Sequence, residues 1–88
     1  MSWRIEVKPS AEKQYLRLDR PTRRRIKASL RELETAGRPL LHPRVRPLTG
    51  ELKGDYRVRL GGWRILLTPD RDSGVLYVYA ILPGGDAY

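Results

Sequence analysis

The run Tyr56-Arg57-Val58-Arg59-Leu60-Gly61-Gly62-Trp63-Arg64-Ile65-Leu66-Leu67 holds two alternating segments joined by a glycine pair. A two-residue Gly-Gly connection predicts a tight β-hairpin, because both central positions of the favoured turn need positive φ, which glycine adopts without strain. That turn sets the register: Leu60 faces Trp63, and Arg59 faces Arg64. Directly opposed residues share a face and neighbours alternate, so Tyr56, Val58, Leu60, Trp63, Ile65 and Leu67 form one apolar surface. Arg57, Arg59 and Arg64 fall on the other. Three guanidiniums on one sheet face repel one another, and a polyanion such as an RNA backbone is the natural compensating partner. On the residues alone, a solvent-facing strand whose arginines pair with nearby carboxylates accounts for them too, each such pair contributing about 0–1 kcal/mol.

The chain has 88 residues, enough for a single domain over 1–88 with one modest core and a site on a surface or shallow cleft. Its net charge of +8 favours nucleic acid or an acidic partner. Residues 1–46 carry 13 Lys/Arg and 5 Asp/Glu, whereas residues 47–88 carry 5 of each, so the second half concentrates its positives on the hairpin. A membrane partner is not expected: no apolar run approaches the roughly 18–20 residues of a spanning helix. Met1 to Lys8 alternates like a strand instead of forming a signal peptide, which predicts a cytoplasmic protein. With no cysteine and one histidine, His42, neither a thiol mechanism nor a metal site has a ligand set, and no cofactor is expected. His42 lies in a proline-rich loop and reads as an incidental exposed histidine.

Along the chain, Trp3 to Val7 alternates as a first strand that ends at Pro9. Ser10 is placed to cap a short helix in which Ala11, Tyr15 and Leu18 recur at helical spacing. Asp19-Arg20-Pro21 leads into a second helix with Pro21 near its first position and Ile26, Leu30 and Leu33 as its buried stripe. Gly37 is expected to end it in the left-handed conformation, ahead of Pro39. Residues 38–54, with Pro39, Pro43, Pro47, Gly50 and Gly54, read as loop. The hairpin follows, then a turn at Asp70 to Gly74, and Val75 to Leu82, apolar on both faces, reads as a central strand. The expected fold is α+β, in the order β-α-α-β-β-β, with a helical hairpin packed on one face of a largely antiparallel four-stranded sheet.

A strand, a two-helix hairpin, and then Pro47-Leu48-Thr49-Gly50-Glu51-Leu52-Lys53-Gly54-Asp55-Tyr56-Arg57-Val58-Arg59-Leu60-Gly61-Gly62-Trp63-Arg64-Ile65 closely resemble the RelE/ParE superfamily of toxin–antitoxin toxins. The resemblance spans nearly the whole chain, and its specific part is the loop, the Arg-x-Arg strand, the turn and the aromatic-Arg pair at fixed spacing. It implies a basic toxin held by a cognate acidic antitoxin. In the RelE branch such a toxin enters the ribosomal A site and cleaves mRNA by attack of a ribose 2′-OH on the adjacent phosphate. In the ParE branch the same fold inhibits a protein target, DNA gyrase. A third outcome is an attenuated homologue that acts mainly in an antitoxin-bound repressor complex on operator DNA.

By position, the resemblance implies catalytic roles for Arg57, Arg59, Arg64 and Tyr88. Lys53, Arg44 and Arg46 are expected to add RNA contacts, and so are Arg24 and Lys27, in a basic run that otherwise reads as a solvated helix face. Guanidiniums suit the charge of a pentacovalent phosphorane, but their delocalised positive charge makes them poor proton acceptors. Tyr88 is the proton-transfer or base-stacking candidate. Two departures stand out. Archaeal-type relatives carry two arginines in the tail where this chain has Gly84 and Asp86. Another subgroup pairs a glutamate just before the Pro-Leu of the loop with a C-terminal histidine; here Arg46 holds the first place and no histidine the second.

Overall fold

The computed structural model of the chain describes residues 3–84. Five strands, β1 (Arg4–Val7), β2 (Val45–Pro47), β3 (Tyr56–Leu60), β4 (Trp63–Asp70) and β5 (Val75–Pro83), form one sheet in the order β1-β5-β4-β3-β2. Two helices, α1 (Pro9–Leu16) and α2 (Arg20–Thr35), cover one face of it. The β1–β5 pair is parallel and the other pairs are antiparallel, so the α+β class and the largely antiparallel sheet hold. The sheet has five strands, not four: β2 lies inside the segment expected to be loop. It is three residues long and ends on Pro47, which an edge strand tolerates because its outward N–H has no rung to make.

The hairpin register is as expected, with Leu60 opposite Trp63 and Arg59 opposite Arg64. Within the turn only Gly61 takes a positive φ, 59°, not both glycines as expected, so the turn is of the kind that requires glycine at its first central residue alone. Val58, Leu60, Ile65 and Leu67 are buried beneath the helices with Ala11, Ile26 and Leu33, while Tyr56 and Trp63 pack half-buried at the margin. Burying a side chain the size of Ile26 fully contributes about 1.5–3 kcal/mol. β5 is an interior strand between β1 and β4, as its two apolar faces predict: the neighbours Val75 and Leu76, which alternation puts on opposite faces, are both buried.

The helix ends differ from expectation in ways that local chemistry explains. α1 begins at Pro9, whose missing N–H costs nothing in the first turn, and Lys8 before it is held extended (ψ 153°). Ser10 therefore does not cap; its hydroxyl donates to the Tyr79 carbonyl (2.9 Å) and ties α1 to β5. Asp19 caps α2, accepting from the Thr22 N–H (3.3 Å) and hydroxyl (2.6 Å). The hydroxyl bond is the main reason its carboxyl is held below the usual range. α2 stops at Thr35 because Ala36 turns extended (ψ 140°), and Gly37 does not adopt the left-handed conformation.

Between β4 and β5 the register slips: Leu66 pairs with Ala80 and Leu67 with Val78, leaving Tyr79 as the extra residue of a bulge. A bulge re-aims its side chain. Here the Tyr79 hydroxyl donates to Asp55 Oδ2 (2.7 Å), while the Asp55 carbonyl accepts from the Leu48 N–H (2.9 Å). The segment between β2 and β3 is thereby fastened beside the sheet. Burial, and then the hydrogen bond to the Asp55 carboxylate, push the Tyr79 phenol up to about 12.

Candidate functional site

The face of the hairpin turned away from the helices carries a cleft of about 560 Å³. Arg57, Arg59 and Arg64 line it together, as alternation along β3 and β4 requires. Leu66 and Leu82 contribute apolar surface, Pro47 at the end of β2 and Leu48, Thr49 and Leu52 in the segment after it form a wall, and Gly84 closes the end beyond β5. No carboxylate belongs to the lining among the described residues. The cleft is thus a concave, one-signed surface with an apolar component, suited to a phosphodiester flanked by a base or sugar face.

The strand pairing extends this charge sideways. Arg46 on β2 lies directly opposite Arg57. Arg59 donates its N–H to the Arg44 carbonyl (3.3 Å), so its backbone faces β2, and the Arg59–Arg64 pair on the β4 side is the close, non-hydrogen-bonded kind. Arg44 lines a second depression with Arg25, Ser29, Glu32 and Gly61, and Arg59 belongs to both linings. Lys53 is exposed just before β3, with its N–H bonded to the Gly50 carbonyl (3.1 Å).

Arg24 and Lys27 stand apart from the cleft. Both are exposed on α2, across the sheet from the arginine face, and Lys27 borders an apolar groove formed with Ile5, Val7, Tyr15, Leu16 and Leu30. Tyr88 and Asp86 lie outside the described residues. His42 is not the incidental exposed residue expected. Its side chain is 15 % exposed, with Nε2 2.9 Å from Glu32 Oε1 and Nδ1 accepting from the Arg44 N–H (3.1 Å). The acceptor role of Nδ1 places the proton on Nε2, so the imidazole donates to Glu32 and fixes Arg44 at the edge of the sheet. It is spent on structure and lies outside the cleft lining.

The wall residues and Gly84 were not anticipated as site residues. Leu66 and Leu82 could have been, since the register puts Leu66 opposite Arg57 and Leu82 opposite Arg64. The wall could not, because it depends on the Tyr79–Asp55 bond between positions 24 apart in the chain. Chemically, the described cleft offers donors and positive charge but no proton acceptor, since guanidiniums stay protonated.

Two helices on one face of a mostly antiparallel sheet, with an arginine-lined cleft on the other, define a toxin of the RelE/ParE superfamily. The family described as the ParE toxin of type II toxin–antitoxin system, parDE, matches residues 5–88, and the chain belongs to it. No curated protein sequence matches the chain. Among solved structures it is similar to the archaeal RelE–RelB complex from Pyrococcus horikoshii: 25 % identity, 99 % of this chain and 100 % of that one covered, TM-score 0.79. A mutant E. coli RelE toxin in the free state shares the fold at 19 % identity over 99 % and 88 % of the two chains, with TM-score 0.77. So does a YoeB/ParE toxin from Agrobacterium tumefaciens, at 18 % identity over 89 % and 94 %, with TM-score 0.73.

Proposed function

We propose that this toxin is a ribosome-dependent mRNA endoribonuclease, acting in the cytoplasm without metal or organic cofactor. The observation that carries the reading is the convergence of Arg57, Arg59 and Arg64 on one cleft with apolar walls and no carboxylate among its described lining. In the reaction, the ribose 2′-oxygen attacks the adjacent phosphorus, its proton leaves, and the bond from phosphorus to the 5′-oxygen of the next nucleotide breaks. The products are a 2′,3′-cyclic phosphate and a 5′-hydroxyl. The three guanidiniums donate to the phosphorane oxygens, where aligned donors contribute about 2–4 kcal/mol each. Tyr88 is assigned the proton transfer that the arginines cannot perform. Arg44, Arg46 and Lys53 extend the RNA contact beside the cleft, and Arg24 and Lys27 meet ribosomal RNA on the helical side.

An acidic antitoxin is the proposed partner, as the Pyrococcus relative is solved with RelB. The apolar groove between the helices and β1, where Val7 is 41 % and Leu16 61 % exposed, offers it a docking surface. The toxin–antitoxin pair would then bind operator DNA through the antitoxin. A second reading, inhibition of a protein target such as DNA gyrase, is favoured by the ParE family match itself. One pair of assays separates them. Purified toxin is added to ribosomes programmed with a defined mRNA, with cuts mapped by primer extension, and in parallel to gyrase with relaxed plasmid. Cuts that require the ribosome support the nuclease, and loss of supercoiling with an intact message supports the inhibitor.

A further inference from the structure

Gly84 ends the described chain, is buried, and donates its N–H to the Gly62 carbonyl (2.6 Å) one residue beyond the last rung between β4 and β5. This bond lays the chain leaving β5 across the start of β4. A Cβ built on Gly84 would lie 2.5 Å from Cγ of Arg64, 3.2 Å from its Cδ and 3.1 Å from its backbone N. The first distance is one that real side chains do not tolerate. Gly84 is not among the glycines of positive φ, so the demand for glycine visible here is one of space. The Arg64 backbone is held in place, since it sits on β4 paired on both sides by β3 and β5, and the Gly84 backbone is tied to Gly62 by its N–H. The least restrained partner in the collision is the stem of Arg64, which carries the guanidinium into the cleft.

We infer that Gly84 is a positioning residue: by lacking a side chain it lets the Arg64 stem lie against the strand, and so holds the Arg64 guanidinium in the cleft. The consequence for catalysis rests on the nuclease reading above, while the seating of Arg64 does not. It also changes the meaning of the tail. An arginine introduced at Gly84 would meet the same collision and displace Arg64 before adding a charge of its own.

The test is a double-mutant cycle on the full chain with Gly84→Ala, Arg64→Ala and both together, and Gly62→Ala as control, since nothing lies within 4 Å of a Cβ at Gly62. Arg64→Ala removes the Cγ and Cδ that the new methyl would strike. Gly84→Ala should therefore lower the folding equilibrium constant in the parent about tenfold more than in the Arg64→Ala background. The Arg64 Nε–Hε resonance should shift in Gly84→Ala and stay put in Gly62→Ala. If the parent cleaves, Gly84→Ala should lose about 100-fold in kcat with KM little changed, the cost of a misplaced group about 1 Å out of line, and should add nothing to Arg64→Ala. If Gly84→Ala fails to fold, recovery of folding in the double variant supports the same contact. Equal destabilisation in both backgrounds, or an unmoved Arg64 resonance, overturns the inference. A parent that cuts nothing defeats the nuclease reading instead and leaves the stability cycle to decide the seating.

Discussion

Replacing Arg57 with glutamine should make the free protein more stable while making it a poorer toxin. Arg57 and Arg46 are directly opposed across β2 and β3, and among the described residues neither guanidinium has an ion-pairing carboxylate. Because Arg59 bonds Arg44, Arg57 and Arg46 form the next hydrogen-bonded pair, with Cβ atoms about 5.5 Å apart. Two unit charges about 7 Å apart repel by about 0.6 kcal/mol in a water-like medium and about 2 kcal/mol at an effective dielectric near 20. Arg46 is exposed and Arg57 half-buried, so the lower end governs and relief of about 0.5–1 kcal/mol is expected. For a domain of this size that is a rise of a few degrees in Tm. The Debye length is about 3 Å at 1 M salt, so the gain should vanish there. Urea melts of the parent, Arg57→Gln and Arg71→Gln at low and high salt measure it. Arg71 is the control because it sits between Asp70 and Asp72. A destabilised Arg57→Gln, or a gain that survives 1 M salt, would refute the view of the arginine face as a surface under electrostatic load that a phosphate relieves.

Induced in cells, Arg64→Ala should abolish growth arrest while Arg24→Ala leaves most of it, because the first removes a donor from the cleft and the second one charge from the far side of the sheet; growth curves at matched expression decide. Tyr79→Phe should loosen the cleft wall by leaving Asp55 without its donor, and should also change the alkaline limb of stability. The phenol is pushed from 10.0 to about 12 in the folded protein, so its contribution is complete below pH 10 and is lost as pH rises toward 12. Melts between pH 9 and 11.5 should converge for parent and Tyr79→Phe; curves that stay parallel would remove the Tyr79–Asp55 bond from the account.

What could be read in advance was local. The register of β3 and β4 follows from Gly61-Gly62, and the arginine face follows from the register, so three cleft residues were legible before any coordinates. The start of α2 followed in the same way from Asp19-Arg20-Pro21 and the stripe at Ile26 and Leu33, although the capping bonds of Asp19 to Thr22 did not. β2 was hidden because the three residues Val45 to Pro47 are too few to display a periodicity; only the exposed edge of β3 creates it. Pro9 outcompeted Ser10 for the helix start because a proline in the first turn needs no cap of its own N–H. The remaining features depend on distant pairs: His42 with Glu32, Tyr79 with Asp55, and Gly84 with Arg64. No window along the chain contains both members of any of these in their spatial relation.

The proposed chemistry is cleavage of RNA by the substrate's own 2′-hydroxyl. A message with one 2′-deoxynucleotide on the 5′ side of the mapped cut, read on purified ribosomes beside its all-ribose twin, tests it. The ribose message should be cut to leave a 2′,3′-cyclic phosphate end, and the deoxy position should stay uncut. Equal cleavage of the two messages, or a ribosome-bound toxin that leaves both intact, would contradict it.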